Sequence, residues 1–285
     1  MPELPEVETV ARGVDKRVRG DRIAAAWFGS HREPFKTPAA RQAQGLEGRV
    51  VLAVHRTGKH IVCELAPPGV RGAKTAGATA PAADAQWIVH LGMTGRLLVT
   101  RPGASVEPHT HARLTFASGR ELRFVDPRRF GRLEFRDLRR EPPFAAPGAE
   151  PLTIGSEDFA ALFRGRSLSI KAALLNQSLL AGVGNIYADE SLFRAGIRPR
   201  RAAGRLTRAE LERLRKALVQ ILRHAIRLGG SSVSDYVDAD GERGFFQLEH
   251  RVYLRTGEPC RDCKTPIRRI LVAGRGTHFC PNCQR

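Results

Sequence analysis

Four cysteines near the C-terminus constrain the fold of this 285-residue chain more than any other feature. They form two Cys-x2-Cys pairs, Cys260 with Cys263 and Cys280 with Cys283, which are separated by sixteen residues (264–279). This is the spacing of a four-cysteine zinc ribbon, in which each pair supplies two thiolates and a hairpin brings the pairs together. Sulfur would fill all four tetrahedral positions and leave none for water. The sequence therefore predicts one structural Zn²⁺ rather than a catalytic one.

The charge balance points to a polyanionic partner. The chain has 47 Lys and Arg against 29 Asp and Glu, which gives a net charge of +18, and 40 of the 47 cations are Arg. The guanidinium fork suits phosphate oxygens better than a point charge does. The alternative is a GC-rich genome that encodes surface cations as Arg, and composition alone leaves both explanations open.

Membrane-spanning and disordered classes are excluded by hydropathy. The hydrophobic fraction of 42% is ordinary for a globular chain, and no run approaches the ~18 apolar residues of a membrane span. Met1 is followed directly by Pro2, Glu3 and Leu4, without the apolar region of a signal peptide. We expect a cytoplasmic protein.

The N-terminal half has the pattern of one helix followed by many short strands. Val7, Val10, Val14 and Val18 place one apolar stripe on a helix that ends near Gly20. β-rich runs follow at 49–56, 60–65, 87–91, 96–100, 112–116, 121–125 and 131–135, and they predict a β-sandwich or barrel. A stretch of Ala, Gly, Pro and Thr at 66–86 is predicted to be a loop between two strands.

The C-terminal half is predicted to be helical before the cysteine cluster. Ser156, Ser169 and Asn185 stand at positions typical of helix caps, and Thr207 with Glu210 forms a capping box. We expect four segments: a helix and β-sandwich domain at 1–136, a linker at 137–151, a helical domain at 152–230, and a loop and zinc-finger region at 231–285.

Six motifs in one order resemble the bacterial formamidopyrimidine-DNA glycosylase family over essentially the whole chain. They are residues 1–8 (MPELPEVE), 57–59 (TGK), 90–95 (HLGMTG), 126–131 (DPRRFG), 182–187 (GVGNIY) and the four-cysteine ribbon. The resemblance implies an α+β multidomain protein. Its parts would be an N-terminal helix with a β-sandwich, a helix-two-turn-helix domain and a zinc finger.

The first residues fit the chemistry of that family. If Met1 is removed, Pro2 presents a secondary amine with an expected pKa of about 8, which leaves a neutral, nucleophilic fraction near pH 7. Attack of such an amine on a sugar C1′ gives an iminium ion, an electron sink that also allows elimination of the phosphates. The resemblance makes Pro2 the nucleophile and Glu3 the general acid and base. The alternative is that Pro2 and Glu3 merely precede a helix.

Two lysines are candidates because Lys is so rare in this chain. Seven are present, and a Lys among so many Arg suggests a site that needs a compact amine. The resemblance assigns Lys59 a catalytic place at the lesion and its phosphate. Lys171 is a weaker candidate for a contact with the DNA backbone.

The remaining DNA contacts are also implied by the resemblance. A damaged base must leave the duplex before its sugar can be attacked, and side chains fill the gap. The family's gap-filling positions correspond to Met93, Arg128 and Phe130, and phosphate contacts correspond to His109, Asn185 and Arg275. The polar stretch 231–247 corresponds to a loop over the everted base. Taken alone, an ordinary helical corner at Gly182–Gly184 and a solvated turn at Arg275 are alternatives.

We therefore predict a monomeric, bifunctional DNA glycosylase and AP lyase. It would excise 8-oxoguanine and formamidopyrimidines from damaged double-stranded DNA through a Pro2 Schiff base and β,δ-elimination. One alternative is an endonuclease VIII-like glycosylase for oxidised pyrimidines, although Leu4 and the Arg128–Phe130 trio favour the purine enzyme. The other is a non-catalytic zinc-ribbon protein that recognises damaged DNA, in which Met1 would be retained.

Overall fold

The computed structural model describes residues 1–31, 34–70, 82–233 and 236–285. These residues form two compact units, Met1–Ala145 with Ser231–Gly244 and Ala146–Gly230 with Phe245–Arg285. Both units combine helix and sheet, which confirms the α+β class. The contacts thus group 231–244 with the N-terminal residues, whereas the domain limits expected from the sequence stay a prediction. Across the described ranges, no helix is long and apolar enough to cross a membrane.

The first unit contains two four-stranded antiparallel sheets and two helices. In chain order its elements are α1 (Leu4–Val18), β1 (Ile23–Phe28), α2 (Ala39–Leu46), β2 (Val50–Thr57), β3 (His60–Ala66), β4 (Ala85–His90), β5 (Arg96–Thr100), β6 (Thr110–Phe116), β7 (Glu121–Val125) and β8 (Arg132–Asp137). The strand orders are β1-β6-β7-β5 and β2-β3-β4-β8. One hydrophobic core joins side chains from both sheets and from α1, as expected for the predicted helix and β-sandwich.

Helix α1 forms because its valines recur at helical spacing. Val7, Val10, Val14 and Val18 are all buried, and Pro5 stands in the first turn, where its missing N–H has no helical partner to lose. The apolar stripe faces β2 and β3. Burial of this stripe holds the N-terminus of the chain against the sandwich.

Two elements of this unit were not predicted individually. Strand β1 is alanine-rich, so its sequence lacks the β-branched pattern of its neighbours, and half of its residues are exposed. Helix α2 buries Gln42, whose Oε1 accepts a hydrogen bond from Trp87 Nε1 at 3.0 Å. Strand β4 begins at Ala85, so the predicted loop at 66–86 is too long at both ends, and its residues 71–81 lie outside the described residues.

The second unit consists of helices of different lengths and a two-stranded hairpin. Its elements are α3 (Ser156–Ala161), α4 (Ile170–Leu175), α5 (Asn185–Ala195), the 3-10 helix Ala203–Arg205, α6 (Arg208–Arg227), the 3-10 helix Phe246–Glu249, β9 (Arg268–Val272) and β10 (Arg275–Phe279). The predicted caps are confirmed at Ser169 and at Thr207 with Glu210. Elsewhere Gly155 and Gly184 are the N-caps, so Ser156 and Asn185 are first helical residues instead.

The hairpin of β9 and β10 carries the zinc-ribbon sequence. Its two turn residues, Ala273 and Gly274, both have positive φ, 49° and 72°, as a type I′ turn requires. Arg275 follows as the first residue of β10, paired with Val272 and exposed to solvent. The turn is therefore Ala273–Gly274, and Arg275 projects beside it.

Candidate active site and nucleic-acid interface

Pro2 and Glu3 lie immediately before helix α1, and both are buried. Glu3 is the N-cap, and its carboxylate accepts a hydrogen bond from the backbone N–H of Glu6. In return, the N–H of Glu3 donates to Glu6 Oε2 at 2.8 Å. This reciprocal capping box fixes the backbone next to Pro2, and the positive end of the helix dipole favours the ionised Glu3. A buried carboxylate is thus held beside the amine that removal of Met1 would release.

The second oxygen of Glu6 binds the segment 231–244. The N–H of Ser231 donates to Glu6 Oε1 at 2.8 Å, and the hydroxyl of Tyr236 donates to the Glu6 carbonyl oxygen at 3.3 Å. Burial raises the pKa of Tyr236, so the hydroxyl remains a donor. The sequence interpretation missed this role of Glu6, although its position three residues after Glu3 is the capping-box signal. The segment expected to cover the lesion is therefore anchored to the first turn of α1.

Lys59 lies in the tight turn between β2 and β3 and is 9% exposed. Gly58, with φ of 61°, forms this turn. Arg56 connects the turn to α1, because its Nη1 donates to the Gly58 carbonyl at 3.1 Å and its Nε to Glu8 Oε2 at 2.9 Å. Burial and the positive charge of Lys59 lower the pKa of His90 to about 4. The Lys59 turn is thus fixed to the helix that begins at the predicted catalytic residues.

The three predicted gap-filling residues lie on two loops of the first unit. Met93 is 42% exposed on the loop between β4 and β5, and Phe130 is 49% exposed on the loop between β7 and β8. The guanidinium carbon of Arg128 lies 4.8 Å from the centre of the Phe130 ring. Large apolar side chains exposed in this way are the kind that insert between base steps. Their role in the gap stays a prediction.

His109 occupies the loop between β5 and β6 and is exposed. Its φ is 64°, an uncommon value for a residue with a side chain. The buried Arg123 holds this loop by two hydrogen bonds. Its Nη1 donates to the Ser105 carbonyl at 2.6 Å, and its Nη2 donates to the Ala104 carbonyl at 2.7 Å. The side chain predicted to contact phosphate therefore stands on a fixed loop.

Lys171 is buried rather than exposed on the surface, and its predicted contact with the DNA backbone stays a prediction. Its side chain is fully buried, and Nζ donates to Asp189 Oδ1 at 2.6 Å and to the Gly276 carbonyl at 3.2 Å. The other Asp189 oxygen accepts the backbone N–H of His278 at 2.9 Å. Lys171 and Asp189 therefore join helices α4 and α5 to strand β10. The amine acts on the hairpin that carries Arg275.

Asn185 belongs to the same network. Its Nδ2 donates to the Gly276 carbonyl at 3.0 Å, so it holds the residue next to Arg275. Its Oδ1 is buried and, among the described residues, accepts no hydrogen bond. The predicted phosphate contacts of Asn185 and Arg275 stay predictions, and the structure brings these two residues together in one unit.

The glycine-rich turn before α5 is clamped by Gln177, which the sequence interpretation missed. The Gln177 side chain accepts the N–H of Gly182 at 3.0 Å and donates to the carbonyls of Val183 at 2.8 Å and Leu175 at 2.9 Å. Gly182 has φ of 90°. The clamp fixes the approach to the N-terminus of α5, where backbone N–H groups and the helix dipole favour an anion.

The buried carboxylate of Glu190 anchors the chain just before the zinc ribbon. Glu190 accepts the backbone N–H groups of Arg251, Val252 and Tyr253, with Oε1 distances of 3.0, 3.0 and 2.8 Å. Burial raises the pKa of Glu190, and these three hydrogen bonds oppose that effect. No local motif in the sequence marks this contact, because its partners are about sixty residues away.

The four cysteines form the predicted zinc site. Their sulfur atoms lie within 4.8 Å of one another, with Cys260 to Cys283 at 3.9 Å and Cys263 to Cys280 at 3.4 Å. Tetrahedral Zn–S bonds of about 2.3 Å place sulfurs about 3.8 Å apart, so the four thiolates fit one structural zinc ion. The site packs against Phe193 of α5. Zinc binding would therefore fix the hairpin on the helical unit.

These features define a class of protein, namely a helix-two-turn-helix protein with an N-terminal sandwich and a four-cysteine zinc finger. Family models match all three parts. Residues 1–133 match the formamidopyrimidine-DNA glycosylase N-terminal domain, 147–237 its H2TH domain, and 257–285 the zinc finger found in FPG and IleRS.

Relatives over the full length agree with the family models. The chain is 47% identical over 287 residues to a formamidopyrimidine-DNA glycosylase of Solibacter usitatus and 43% identical over 297 residues to one of Burkholderia thailandensis, with complete coverage of each. A variant of the Lactococcus lactis FPG bound to Fapy-dG DNA matches with a TM-score of 0.85 at 34% identity over all of both chains. The MutM (FPG) protein of Thermus thermophilus gives 0.82 at 41% identity, covering 99% of this chain and 98% of that one. The chain belongs to the formamidopyrimidine-DNA glycosylase family.

Proposed function

We propose that the protein is a bifunctional DNA glycosylase and AP lyase of base excision repair, acting on oxidised purines in duplex DNA. Family membership gives the class of enzyme. Structures of the Lactococcus lactis relative hold Fapy-dG DNA and abasic-site DNA, which are a substrate and a reaction intermediate of these two activities. The substrates proposed here are 8-oxoguanine and formamidopyrimidines.

One observation carries the catalytic proposal. The capping box between Glu3 and Glu6 fixes a buried carboxylate directly beside Pro2, at the start of a helix packed on the core. After removal of Met1, the Pro2 nitrogen attacks C1′, and the base leaves with the electron pair of its bond to C1′ and takes up a proton from water. Glu3 accepts the proton that the attacking amine loses and passes it to the sugar ring oxygen, so that the ring opens to the iminium. Glu3 then moves protons during elimination of the two phosphates. Lys59 contributes its ammonium at the lesion and its phosphate.

The other predicted residues bind damaged double-stranded DNA. Met93, Arg128 and Phe130 fill the gap left by the everted base, whereas His109, Asn185 and Arg275 bind the backbone. The zinc site supports the Arg275 hairpin and takes no part in the chemistry, because its four sulfur ligands leave no open position. We further propose a monomer that acts in the cytoplasm, at the nucleoid.

Borohydride trapping tests the nucleophile. Zinc-loaded protein whose mass shows loss of Met1 should form a covalent complex with 8-oxoguanine DNA. Glu3→Gln is the matched variant, because it keeps the Pro2 amine and the fold but removes the proposed general acid and base. It should excise the base much more slowly than wild type. A processed wild-type protein that binds lesion DNA without trapping would contradict the Pro2 mechanism and favour a non-catalytic damage-binding protein.

Oxidised pyrimidines are a second candidate substrate class. One solved structure of the Lactococcus lactis relative contains DNA with an oxidised pyrimidine. Parallel trapping on 8-oxoguanine and thymine glycol duplexes decides between the two classes. We expect 8-oxoguanine to give the faster single-turnover excision, and a reversed order would indicate the pyrimidine activity.

A further inference from the structure

Three loops of the first unit carry the residues that we expect to enter or flank the DNA gap. The loop at 91–95 holds Met93, the loop at 126–131 holds Arg128 and Phe130, and His109 ends a third. These loops connect different strands, so strand pairing alone does not fix their tips against each other. Something else must set the distance between Met93 and Phe130.

Asp126 touches all three loops. It is fully buried, and its Oδ1 accepts a hydrogen bond from Thr94 Oγ1 at 2.6 Å while its Oδ2 accepts the N–H of Gly131 at 2.8 Å. Thr94 follows Met93 and Gly131 follows Phe130 in the chain. The backbone N–H of Asp126 donates to the carbonyl of His109 at 3.0 Å. One residue therefore contacts the neighbours of both predicted wedge residues and the predicted phosphate-binding histidine.

The two wedge loops are also packed without spare room. A Cβ on Gly92 would lie 2.5 Å from the backbone nitrogen of Gly131 and the same distance from the carbonyl carbon of Phe130. A Cβ on Gly131 would lie 2.4 Å from the ring of Phe124. Backbone contact at these glycines and the shared carboxylate make the two loops one body. Neither tip can shift without breaking a hydrogen bond to Asp126.

We propose that Asp126 is a positioning residue for base eversion: its carboxylate holds the Met93 and Phe130 loops in one arrangement, so that both side chains enter the duplex together. The inference rests on the proposed glycosylase function. It assigns Asp126 no contact with the reacting atoms. Hydrogen bonds to an ionised acceptor are stronger than neutral ones, which makes a carboxylate suited to hold two loops together.

The test separates eversion from chemistry. Excision of 8-oxoguanine from a duplex requires the wedge, whereas cleavage of a preformed abasic site in single-stranded DNA requires neither eversion nor gap filling. Asp126→Asn removes the negative charge: the amide oxygen can still accept the Gly131 N–H, but the NH2 group takes the place of the oxygen that accepts the Thr94 hydroxyl. Loss of one charge-assisted hydrogen bond predicts a fall of about tenfold or more in single-turnover duplex excision. Cleavage of the single-stranded abasic site should stay within about twofold of wild type.

Thr94 provides a milder pair of variants on a partly exposed residue. Thr94→Val removes the hydroxyl that binds Asp126, and Thr94→Ser retains it. Duplex excision should fall for the valine variant and be preserved by serine. Fluorescence of 2-aminopurine beside the lesion should report slower unstacking for Thr94→Val only. If Asp126→Asn fails to fold, this pair still decides the question.

Asp15→Asn is the matched control, because Asp15 Oδ1 also accepts a backbone N–H, from Val54 at 2.7 Å, away from the wedge loops. It should leave the ratio of the two activities unchanged. The inference is overturned if, with an active wild type, Asp126→Asn lowers duplex excision and single-stranded abasic-site cleavage equally. It is also overturned if the variant lowers neither activity. A wild type inactive on both substrates would instead overturn the proposed function.

Discussion

The buried pair of Lys171 and Asp189 gives the sharpest test of how the hairpin that carries Arg275 is supported. Lys171→Met removes the ammonium and leaves a carboxylate that is fully buried, with its partner atom formerly 2.6 Å away. Removing one member of a buried ion pair costs about 3–5 kcal/mol, because the remaining charge is uncompensated. At about 2–4 °C per kcal/mol, the midpoint of thermal unfolding should fall by about 6–20 °C.

A double-mutant cycle separates this effect from loss of packing. In Lys171→Met combined with Asp189→Asn both charges are gone, and the Asn oxygen can still accept the N–H of His278. We expect the double variant to recover most of the stability, with a coupling energy of at least about 2 kcal/mol. Lys216→Met is the matched surface control, because that lysine is 65% exposed and pairs with Glu212 at 3.5 Å. Its effect should stay below about 0.5 kcal/mol.

The same variants decide whether Lys171 touches DNA. If the amine acts through the hairpin, the double variant recovers DNA affinity together with stability, and the salt dependence of binding is unchanged. A direct phosphate contact predicts the opposite, namely an unchanged melting temperature for Lys171→Met and a salt slope reduced by about one in both variants. That second result would refute the assignment made from burial. Calorimetry and binding titrations at several salt concentrations provide the two measurements.

Three further outcomes are expected. Chelation of zinc should lower both the melting temperature and DNA affinity, and readdition of Zn²⁺ should restore them, as followed by calorimetry and anisotropy. Arg275→Ala should weaken binding to all DNA sequences alike and reduce the salt slope by about one, because the residue is exposed beside the hairpin turn. Burial lowers the pKa of His60 and His90 to about 4 in the folded protein. In the unfolded chain these histidines bind their protons near pH 6.5, so acid favours the unfolded state. The free energy of unfolding should therefore fall as the pH drops from 6.5 to 4, by at most about 3 kcal/mol per histidine. Urea titrations should find a shallower fall for His60→Gln, and a pH-independent wild type would contradict this reasoning.

Local patterns predicted the elements whose residues repeat regularly. The valine stripe of α1 and the capping box at Thr207 and Glu210 are set within a few residues, so the sequence alone indicates them. Strand β1 was not predicted, because alanines replace the β-branched residues that are typical of its neighbours. Helix α2 was not predicted, because one of its two buried residues is Gln42, whose hydrogen-bond partner Trp87 is distant in the chain.

In the candidate site too, local motifs could be predicted from the sequence, whereas contacts between distant residues could not. The cysteine spacing and the N-terminal motif are local, and the zinc cluster is confirmed. The burial of Lys171 depends on Asp189, eighteen residues away, and on Gly276, more than a hundred residues away. Scarcity of lysine drew attention to Lys171 but did not indicate that its side chain is buried. Composition identifies an unusual side chain, whereas only tertiary packing decides which charge faces it.

Buried carboxylates organise this basic protein in a way that its net charge conceals. Six carboxylates are buried among the described residues, and each accepts at least one backbone N–H: they are Glu3, Glu6, Asp126, Asp137, Asp189 and Glu190. A surface carboxylate beside a phosphate-binding loop would repel the DNA. A buried carboxylate surrounded by donors instead satisfies loop N–H groups that water cannot reach, and its charge is compensated locally. The acidic residues can thus fix the loops from inside while exposed arginines such as Arg275 remain available for phosphate. In this way a chain of +18 can order the loops that are predicted to face DNA without exposing these six carboxylates on them.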